Sequence, residues 1–390
     1  MNILFVTHSS GGSGSAKALV NLAKGMISLG HHVFVLSKNQ RGTLAEQIES
    51  LGGKMFYGPV SLTIYPREGR FIGRLKRFVI NYFGWRKSRK QIENIIEKYN
   101  IDIVHTNAGP LNLALNACRK KGIPHIWHMR EYQDLDFGMS FFPCKKVFKK
   151  IIHQEGNYNI AITEGVFDYW ELNRKSDTVI YDGVFSLEGY KETPQVKKEK
   201  YFLFVGRVEE AKGPHLIIDV LDKLLEKYPD YSLKIVGSYS PRADYYKKLK
   251  YLIERRRLEG KVEIMGVRND VNELMQKATA LIVPSRFEGF GFITVEAMLN
   301  NCLVIGKNTA GTKEQLDRGL QITGKEIGLR FNDEDELYRC MISAIEDETK
   351  EICSRALEVV VNNYSLERCV KETEQFYFQS YSDFKLRKNI

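Results

Sequence analysis

The sequence predicts an α/β protein made of two parallel-sheet domains that face each other across a cleft. Short apolar runs alternate with amphipathic helical stretches along most of the chain, which is the pattern of repeated strand–helix–strand units. A polar, proline-containing segment divides this pattern into two series. The chain has 390 residues, which exceeds what one hydrophobic core normally holds.

These observations give the domain boundaries. Residues 1–186 form the first domain and residues 187–200 the linker, whose composition is polar with one proline. Residues 201–365 form the second domain. Residues 366–390 make a final long helix, which we expect to pack back on the first domain.

The first domain begins with an apolar strand at 3–7 and a helix at 16–29, joined by the glycine- and serine-rich loop 9–15. Such a strand–loop–helix turn favours binding of phosphate groups. A dinucleotide fingerprint is disfavoured, because Lys17 stands where the third glycine of the pattern is expected. The other predicted elements are strands at 33–36, 101–106, 123–127, 159–163 and 178–181 and a helix at 110–120.

Residues 65–90 are the most basic part of the chain. Between Arg67 and Lys90 there are nine basic residues and one acid, Glu68, which gives +8 of the formal net charge of +10. Large aromatic and aliphatic residues are interleaved with the cations. This composition fits binding to an anionic membrane, and it equally fits an amphipathic helix with one face in the core. No signature of a nucleic-acid-binding module accompanies the charge.

Two polar features follow the strand at 123–127. His128 stands at its predicted carboxyl end, where ligand-binding and catalytic groups of parallel sheets lie, although a hydrogen-bonded structural histidine is the alternative. Asp134 and Asp136 form an acidic pair that belongs to no strand-end metal pattern, so no metal site is predicted there.

The second domain repeats the alternation of the first. Its predicted strands are 201–205, 232–236, 262–265, 280–283 and 303–306, and its predicted helices are 216–227, 245–257, 271–278, 293–299, 334–347 and 351–362. Gly206 and Arg207 follow the first of these strands, and Lys212 precedes the first helix. Two cations flanking a strand-to-helix turn are suited to neutralise a diphosphate, although each by itself also fits an ordinary surface charge.

The segment 280–306 predicts a strand, a glycine loop, a helix and a second strand. Its loop lies beyond the carboxyl end of a parallel strand, where ligands bind. Gly289 and Gly291 allow close approach of the backbone to an anion. Glu288 and Glu296 would repel a phosphate and are better suited to accept hydrogen bonds from hydroxyl groups. An anion together with several hydroxyls describes a nucleotide sugar, and an ordinary solvated loop is the alternative.

Composition sets the remaining expectations. The six cysteines have no close pair, so free thiols in a reducing compartment are expected. We find no secretory signal and no run of 18 apolar residues, so the protein is expected to be cytoplasmic. The charge of +10 calls for an anionic partner, such as a membrane surface or a phosphorylated ligand.

The motifs together resemble the retaining glycosyltransferases of group 1 (family four), which have the GT-B fold of two Rossmann-like domains. The segment 205–213 is similar to the Gly-Arg…Lys-Gly loop of the family, and 284–296 to its Glu-x7-Glu signature. The resemblance to the family extends to segments 269–271 and 180–184 and to the glycines of the first loop. Asp182 departs from the pattern, since the family often has Asn there.

The resemblance implies a role for each position. Arg207 and Lys212, next to Gly206, would bind the donor diphosphate and stabilise it as it leaves. Glu288 would hold hydroxyls of the donor sugar, and Glu296 the ribose. The backbone N–H groups of Gly289, Phe290 and Gly291 would assist. His128 would lie beside the donor sugar and the acceptor, and Gly12 would admit the diphosphate or the acceptor.

The implied activity is transfer of a hexose from a nucleotide-diphosphate sugar to a hydroxyl acceptor with retention of configuration, without a metal or other cofactor. A lipid-linked saccharide in bacterial surface polysaccharide synthesis is the expected acceptor. The enzyme would act peripherally on the inner face of the cell membrane, without nucleic acid. Two alternatives stay open: a catalytically degenerate GT-B module that binds lipid or polysaccharide, and a GT-B enzyme of another family, either an inverting transferase or an epimerase.

Overall fold

The structure is a computed structural model that describes residues 1–11, 14–38, 42–66, 71–136, 138–141, 144–191 and 196–388. The chain divides into two compact units. Unit 1 contains Met1–Ser186 together with Ser365–Ile390, and unit 2 contains Leu187–Tyr364. Unit 1 is therefore discontinuous in sequence.

The seven-stranded sheet of unit 1 has the order β3-β2-β1-β5-β6-β8-β9, and its strand pairs are parallel. A separate antiparallel pair joins β4 to β7. The strands are β1 (Asn2–Val6), β2 (His32–Ser37), β3 (Lys54–Tyr57), β4 (Ile64–Pro66), β5 (Ile103–Thr106), β6 (His125–Met129), β7 (Met139–Phe141), β8 (Asn157–Ala161) and β9 (Thr178–Val179). The helices are α1 (Gly14–Ser28), α2 (Thr43–Ser50), α3 (Phe71–Tyr99), α4 (Leu115–Lys121), α5 (Lys145–Ile152), α6 (Glu164–Tyr169) and, after unit 2, α14 (Leu366–Lys388).

Helix α14 completes the core of unit 1. Its buried residues Val370, Phe376, Tyr377 and Phe384 belong to the same hydrophobic cluster as residues of β1 and α1. The hydroxyl of Tyr158 donates to the Asp383 carboxylate at 2.7 Å. Helix α14 therefore packs in the same core as the first strand and the first helix of the chain.

Several elements of unit 1 differ from the sequence prediction. The predicted helix at 110–120 begins only at Leu115. Helix α2 and strand β3 were not predicted, because Thr43–Ser50 is short and polar and Lys54–Tyr57 lies at the edge of the sheet without apolar alternation. Strand β6 runs on to Met129, so His128 lies inside the strand and not after it.

Unit 2 contains a six-stranded parallel sheet with the order β12-β11-β10-β13-β14-β15. Its strands are β10 (Tyr201–Val205), β11 (Ser232–Val236), β12 (Val262–Gly266), β13 (Ala280–Val283), β14 (Val304–Lys307) and β15 (Leu329–Phe331). Its helices are α7 (Pro214–Lys227), α8 (Asp244–Arg255), α9 (Val271–Lys277), α10 (Phe292–Leu299), α11 (Ala310–Thr323), α12 (Glu334–Glu346) and α13 (Lys350–Asn363).

The prediction of two parallel-sheet α/β domains is confirmed. In unit 2 the strands β10, β11 and β13 begin and end at the predicted residues. The sequence analysis missed α11, because Ala310–Thr323 is rich in polar residues and glycine. Two of its glycines are required by close packing: a Cβ on Gly319 would lie 2.1 Å from the Ile327 side chain, and one on Gly311 would lie 2.6 Å from the Phe290 carbonyl oxygen.

None of the helices among the described residues is long and apolar enough to cross a membrane.

Candidate functional site

Three glycines form the carboxyl edge of β10, β11 and β12 in unit 2. Gly206 and Gly237 directly follow the first two strands, and Gly266 is the last residue of the third. Gly237 has φ +143°, and a Cβ there would lie 1.9 Å from the Gly206 carbonyl oxygen, so a side chain is excluded. Backbone atoms therefore line this edge, and a ligand can approach it closely.

The loop after β10 packs on the loop after β13. Residues Glu210–Lys212 form a 3-10 turn that ends at Gly213, whose φ is +72°. A Cβ on Gly213 would lie 2.7 Å from the Pro284 carbonyl oxygen. The Arg286 N–H donates to the Ala211 carbonyl at 3.0 Å. These contacts fix the position of the two loops relative to each other.

The packing of these loops brings two predicted site residues together. Lys212 Nζ donates to Glu288 Oε1 at 2.6 Å, and the exposed fractions of the two side chains are 23% and 16%. Arg207, which was predicted to act with Lys212, is half exposed and donates to Glu209 Oε1 at 2.9 Å. Lys212 and Glu288 thus form a partly buried ion pair, whereas Arg207 forms an exposed one.

Helix α10 begins directly after the glycine loop. Gly291 is its N-cap residue, has φ +84°, and provides no side chain to cap the first N–H groups of the helix. Phe290 is 3% exposed, and its ring lies 5.2 Å from that of Phe292 and 5.8 Å from that of Tyr364. The Phe290 side chain is therefore an anchor in the core. Glu296 lies within α10 and is partly buried.

Helix α11 donates hydrogen bonds to carbonyl groups of the glycine loop, residues 288–291. The Gly311 N–H donates to the Glu288 carbonyl at 2.9 Å, and Gln315 Nε2 donates to the Phe290 carbonyl at 2.7 Å. The sequence analysis did not identify Gly311 or Gln315. No local sequence signal pointed to them, because their role lies in hydrogen bonds to a distant loop.

His128 in unit 1 is fully enclosed, with 1% of its surface exposed. Its Nδ1 lies 3.3 Å from both His105 Nε2 and Arg130 Nη2. Because a guanidinium only donates, Nδ1 is the acceptor and Nε2 carries the proton. Then His105 Nε2 donates to His128, and His105 Nδ1 accepts from the Tyr377 hydroxyl at 2.6 Å.

Burial keeps His128 neutral. Burial, with additional contributions from Arg130 and His105, places its pKa well below the usual value. Its Nε2 has no hydrogen-bond partner among the described residues, and His128 lines a small cavity with residues of α1 and α14. His128 therefore offers a neutral N–H donor inside unit 1.

Asp182 forms a buried ion pair with Arg130. Arg130 Nη1 donates to Asp182 Oδ2 at 2.6 Å, and the two side chains are only 3% and 4% exposed. Arg130 Nε also donates to Asn107 Oδ1 at 2.9 Å. Burial raises the pKa of Asp182, and Arg130 opposes that shift. The Asp182 carboxylate lies at a position where the family that the sequence resembles often has Asn. Its charge is balanced by the Arg130 guanidinium.

Parts of several predicted regions lie outside the described residues. Gly12 is among them, and so are Arg67, Glu68 and Arg70 of the basic segment, residues 192–195 of the linker and residues 389–390 of the final helix. From Phe71 onward the basic segment is helix α3, which continues to Tyr99.

The middle of that helix, residues 79–90, presents exposed apolar and basic side chains. Its apolar residues Val79, Tyr82 and Phe83 are 47%, 45% and 65% exposed. Arg86, Lys87 and Lys90 are also exposed. The spacing of three and four residues places these side chains along one side of the helix.

The acidic pair after β6 has structural partners. Asp134 accepts from Lys145 Nζ at 3.3 Å, and Asp136 Oδ2 accepts from the Tyr132 N–H at 2.9 Å. Within the part of the chain that the structure describes, no group of three His, Cys, Asp or Glu side chains has a metal-binding arrangement.

Two family sequence models match this chain. The model described as "Glycosyltransferase Family 4" matches residues 12–184, and the model described as "Glycosyl transferases group 1" matches residues 188–357. Together they cover most of both units.

Individual relatives and solved structures are similar over most of the chain. The capsular polysaccharide biosynthesis glycosyltransferase CapH of Staphylococcus aureus is 24% identical over 291 residues, which are 73% of this chain and 74% of CapH. The UDP-Gal:alpha-D-GlcNAc-diphosphoundecaprenol alpha-1,3-galactosyltransferase of Escherichia coli is 24% identical over 322 residues, or 75% and 79% of the two chains. The crystal structure of Anabaena HepE in complex with UDP superimposes with a TM-score of 0.75 at 20% identity and covers 96% of this chain and 99% of HepE.

Proposed function

Because the chain belongs to the group 1 glycosyltransferases and has their GT-B fold, we propose that it transfers a hexose from a UDP-sugar to a hydroxyl acceptor with retention of configuration. The observation that carries the proposal is the 2.6 Å contact between Lys212 and Glu288. It joins a cation suited to the diphosphate and a carboxylate suited to sugar hydroxyls. The UDP complex of HepE and the UDP-galactose specificity in the name of the Escherichia coli relative support the choice of nucleotide.

In the proposed reaction the bond between the sugar C1 and the diphosphate oxygen breaks, the acceptor oxygen bonds to C1, and the acceptor hydroxyl proton passes to the leaving diphosphate. The negative charge that develops on the leaving diphosphate is stabilised by Lys212, by Arg207 and by the N–H groups at the start of α10. Preorganised donors of this kind usually provide the largest part of enzymatic rate enhancement. We propose that these groups act without a metal ion, so chelation by EDTA should leave the rate unchanged.

The proposed acceptor is a lipid-linked saccharide of a surface polysaccharide pathway, met at the inner face of the cell membrane. The names of the Staphylococcus aureus and Escherichia coli relatives support this acceptor class. The exposed face of α3 supports the location, because Val79, Tyr82 and Phe83 are not used in the core. Apolar and aromatic side chains beside cations bind anionic lipid surfaces.

The test is to incubate the purified protein with a panel of nucleotide sugars and an undecaprenyl-diphosphate-linked saccharide. We expect transfer from one UDP-sugar, with the product anomer identical to that of the donor by NMR. An inverted product would identify an inverting enzyme, and interconversion of donor sugars an epimerase. Absence of both transfer and donor hydrolysis across the panel would favour a catalytically degenerate binding module.

A further inference from the structure

The backbone of the glycine loop is oriented by hydrogen bonds to its carbonyl groups. In a trans peptide the carbonyl of one residue and the N–H of the next point in opposite directions across the peptide plane. A group that binds the carbonyl of Phe290 therefore also sets the direction of the Gly291 N–H. The same relation connects the carbonyl of Glu288 to the Gly289 N–H.

Both carbonyls are bound by α11. Gln315 Nε2 lies 2.7 Å from the Phe290 carbonyl oxygen and 3.4 Å from that of Gly291. The Gly311 N–H lies 2.9 Å from the Glu288 carbonyl oxygen. The N–H groups of Gly289 and Gly291 accordingly point away from α11.

Gln315 is suited to act only as a donor at this place. Its side chain is 1% exposed, and its Oε1 has no hydrogen-bond partner among the described residues. Two carbonyl oxygens face the other end of the amide, which identifies that end as the NH2 group. A buried amide oxygen without a partner costs stability, and the hydrogen bond from Nε2 to the Phe290 carbonyl is the contact that this side chain makes to the loop.

We propose that Gln315 is a positioning residue of the donor site: it holds the Phe290 carbonyl, so that the Gly291 N–H is presented to a diphosphate oxygen of the donor. The inference rests on the proposed function, since it requires a nucleotide diphosphate in this loop. Gln315 itself touches no substrate. Its contribution is to fix the backbone direction before the ligand binds, which lowers the ordering cost of binding.

The experiment measures binding of UDP and of uridine by calorimetry in two variants. Gln315→Met keeps the approximate volume but removes the donor, and we expect UDP to bind ~10-fold more weakly, the size of one hydrogen bond. Uridine has no phosphate, so its affinity should be unchanged. A purely structural effect would lower both affinities together, and that result would overturn the proposal.

Gln315→Glu provides a second, pH-dependent readout. The ionised carboxylate of the new glutamate would repel the Phe290 carbonyl oxygen. The protonated carboxyl could instead donate a hydrogen bond to it. The UDP affinity of this variant, relative to the wild type at each pH, should therefore recover as the pH falls from 8 to 5. The same ratio for Gln315→Met should stay constant, and recovery in neither or both variants would contradict the proposed role.

Tyr201→Phe is the matched control. The Tyr201 hydroxyl donates to the Leu274 carbonyl at 2.6 Å in the interior of unit 2, away from the glycine loop. Its removal should cost comparable stability and leave UDP binding intact. If the wild type itself does not bind UDP, the proposed function fails. If the wild type binds UDP and Gln315→Met binds it equally well, only the inference fails.

Discussion

Lys212 and Glu288 are separated by 76 positions in sequence and meet through one 2.6 Å hydrogen bond. Replacing either residue by alanine should lower kcat ~10²–10³-fold, the usual effect of removing one preorganised charge-stabilising group. Both side chains lie in loops, so the fold should be preserved. Steady-state kinetics and circular dichroism of the purified variants test this prediction.

Lys277→Ala serves as the control for that prediction. Lys277 donates to Glu273 at 2.7 Å, an exposed pair within α9 that should contribute little to stability or activity. Its turnover should equal that of the wild type. Unchanged turnover in both Lys212→Ala and Glu288→Ala would refute the assignment of the site.

The lowered pKa of His125 predicts how the stability of unit 1 depends on pH. Burial lowers its pKa to about 4, and it is held by Asn157 Oδ1 and Thr106 Oγ1 at 2.7 Å each. Above pH 6.5 the histidine is neutral in both the folded and unfolded states. Between pH 6.5 and 4 this histidine is protonated only in the unfolded state. As the pH decreases through this range, the free energy of unfolding should therefore fall by about 1.4 kcal/mol per pH unit for this one group.

Denaturation followed by tryptophan fluorescence measures this effect in unit 1 alone, because the three tryptophans of the chain, Trp85, Trp127 and Trp170, all lie there. His125→Gln should reduce the acid slope by about one proton relative to the wild type. His32→Gln is the control, because His32 is exposed and should leave the slope unaltered. Equal slopes in the wild type and His125→Gln would contradict the prediction.

At the scale of elements, α3 is the part of the molecule with the clearest surface chemistry. Replacing Arg86, Lys87 and Lys90 by glutamine should weaken binding to anionic vesicles by ~100-fold, since each cation contributes about 1 kcal/mol. High salt should weaken the wild type in the same way. Vesicle sedimentation with anionic and with neutral lipid is the measurement.

A triple variant in α8 is matched in charge to that change. Lys247, Lys248 and Lys250 are also exposed cations on one helix. Helix α8 exposes one large aromatic residue beside them, Tyr251, whereas α3 exposes Val79, Tyr82 and Phe83. Replacing them by glutamine should leave vesicle binding unchanged. If both triple variants lose binding equally, the interaction depends only on net charge, and the role of α3 is refuted.

The whole molecule consists of one continuous and one discontinuous unit, which predicts how it tolerates truncation. Residues 187–364 contain their own sheet and core and should fold alone. Deleting residues 365–390 should unfold unit 1, because Phe376, Tyr377 and Phe384 leave its core and each large buried side chain is worth about 3–5 kcal/mol. Circular dichroism tests whether fragment 187–364 folds, and tryptophan fluorescence tests the chain ending at 364, because all three tryptophans lie in unit 1. A native-like fluorescence spectrum for the chain ending at 364 would contradict the prediction.

The sequence by itself determined the fold class, the family and the positions of most strands. Strands β10, β11 and β13 are recognisable because a buried parallel strand is a short apolar run bounded by turn residues, which is a local property of the chain. The Gly-Arg…Lys-Gly and Glu-x7-Glu segments are local in the same sense. Lys212 and Glu288 could therefore be selected as site residues before their contact was known.

Tertiary structure alone decided the features that depend on contacts between distant segments. The polar sequence of α11 gives no sign that Gln315 and Gly311 hold the glycine loop, because that role lies in hydrogen bonds to Glu288 and Phe290. The place of His128 inside β6 follows from how far its pairing with β8 extends. Its tautomer depends on Arg130 and on a chain through His105 to Tyr377 of α14, which lies 272 positions after His105. Local patterns select elements and residue types, whereas packing fixes which distant groups meet and which proton each one carries.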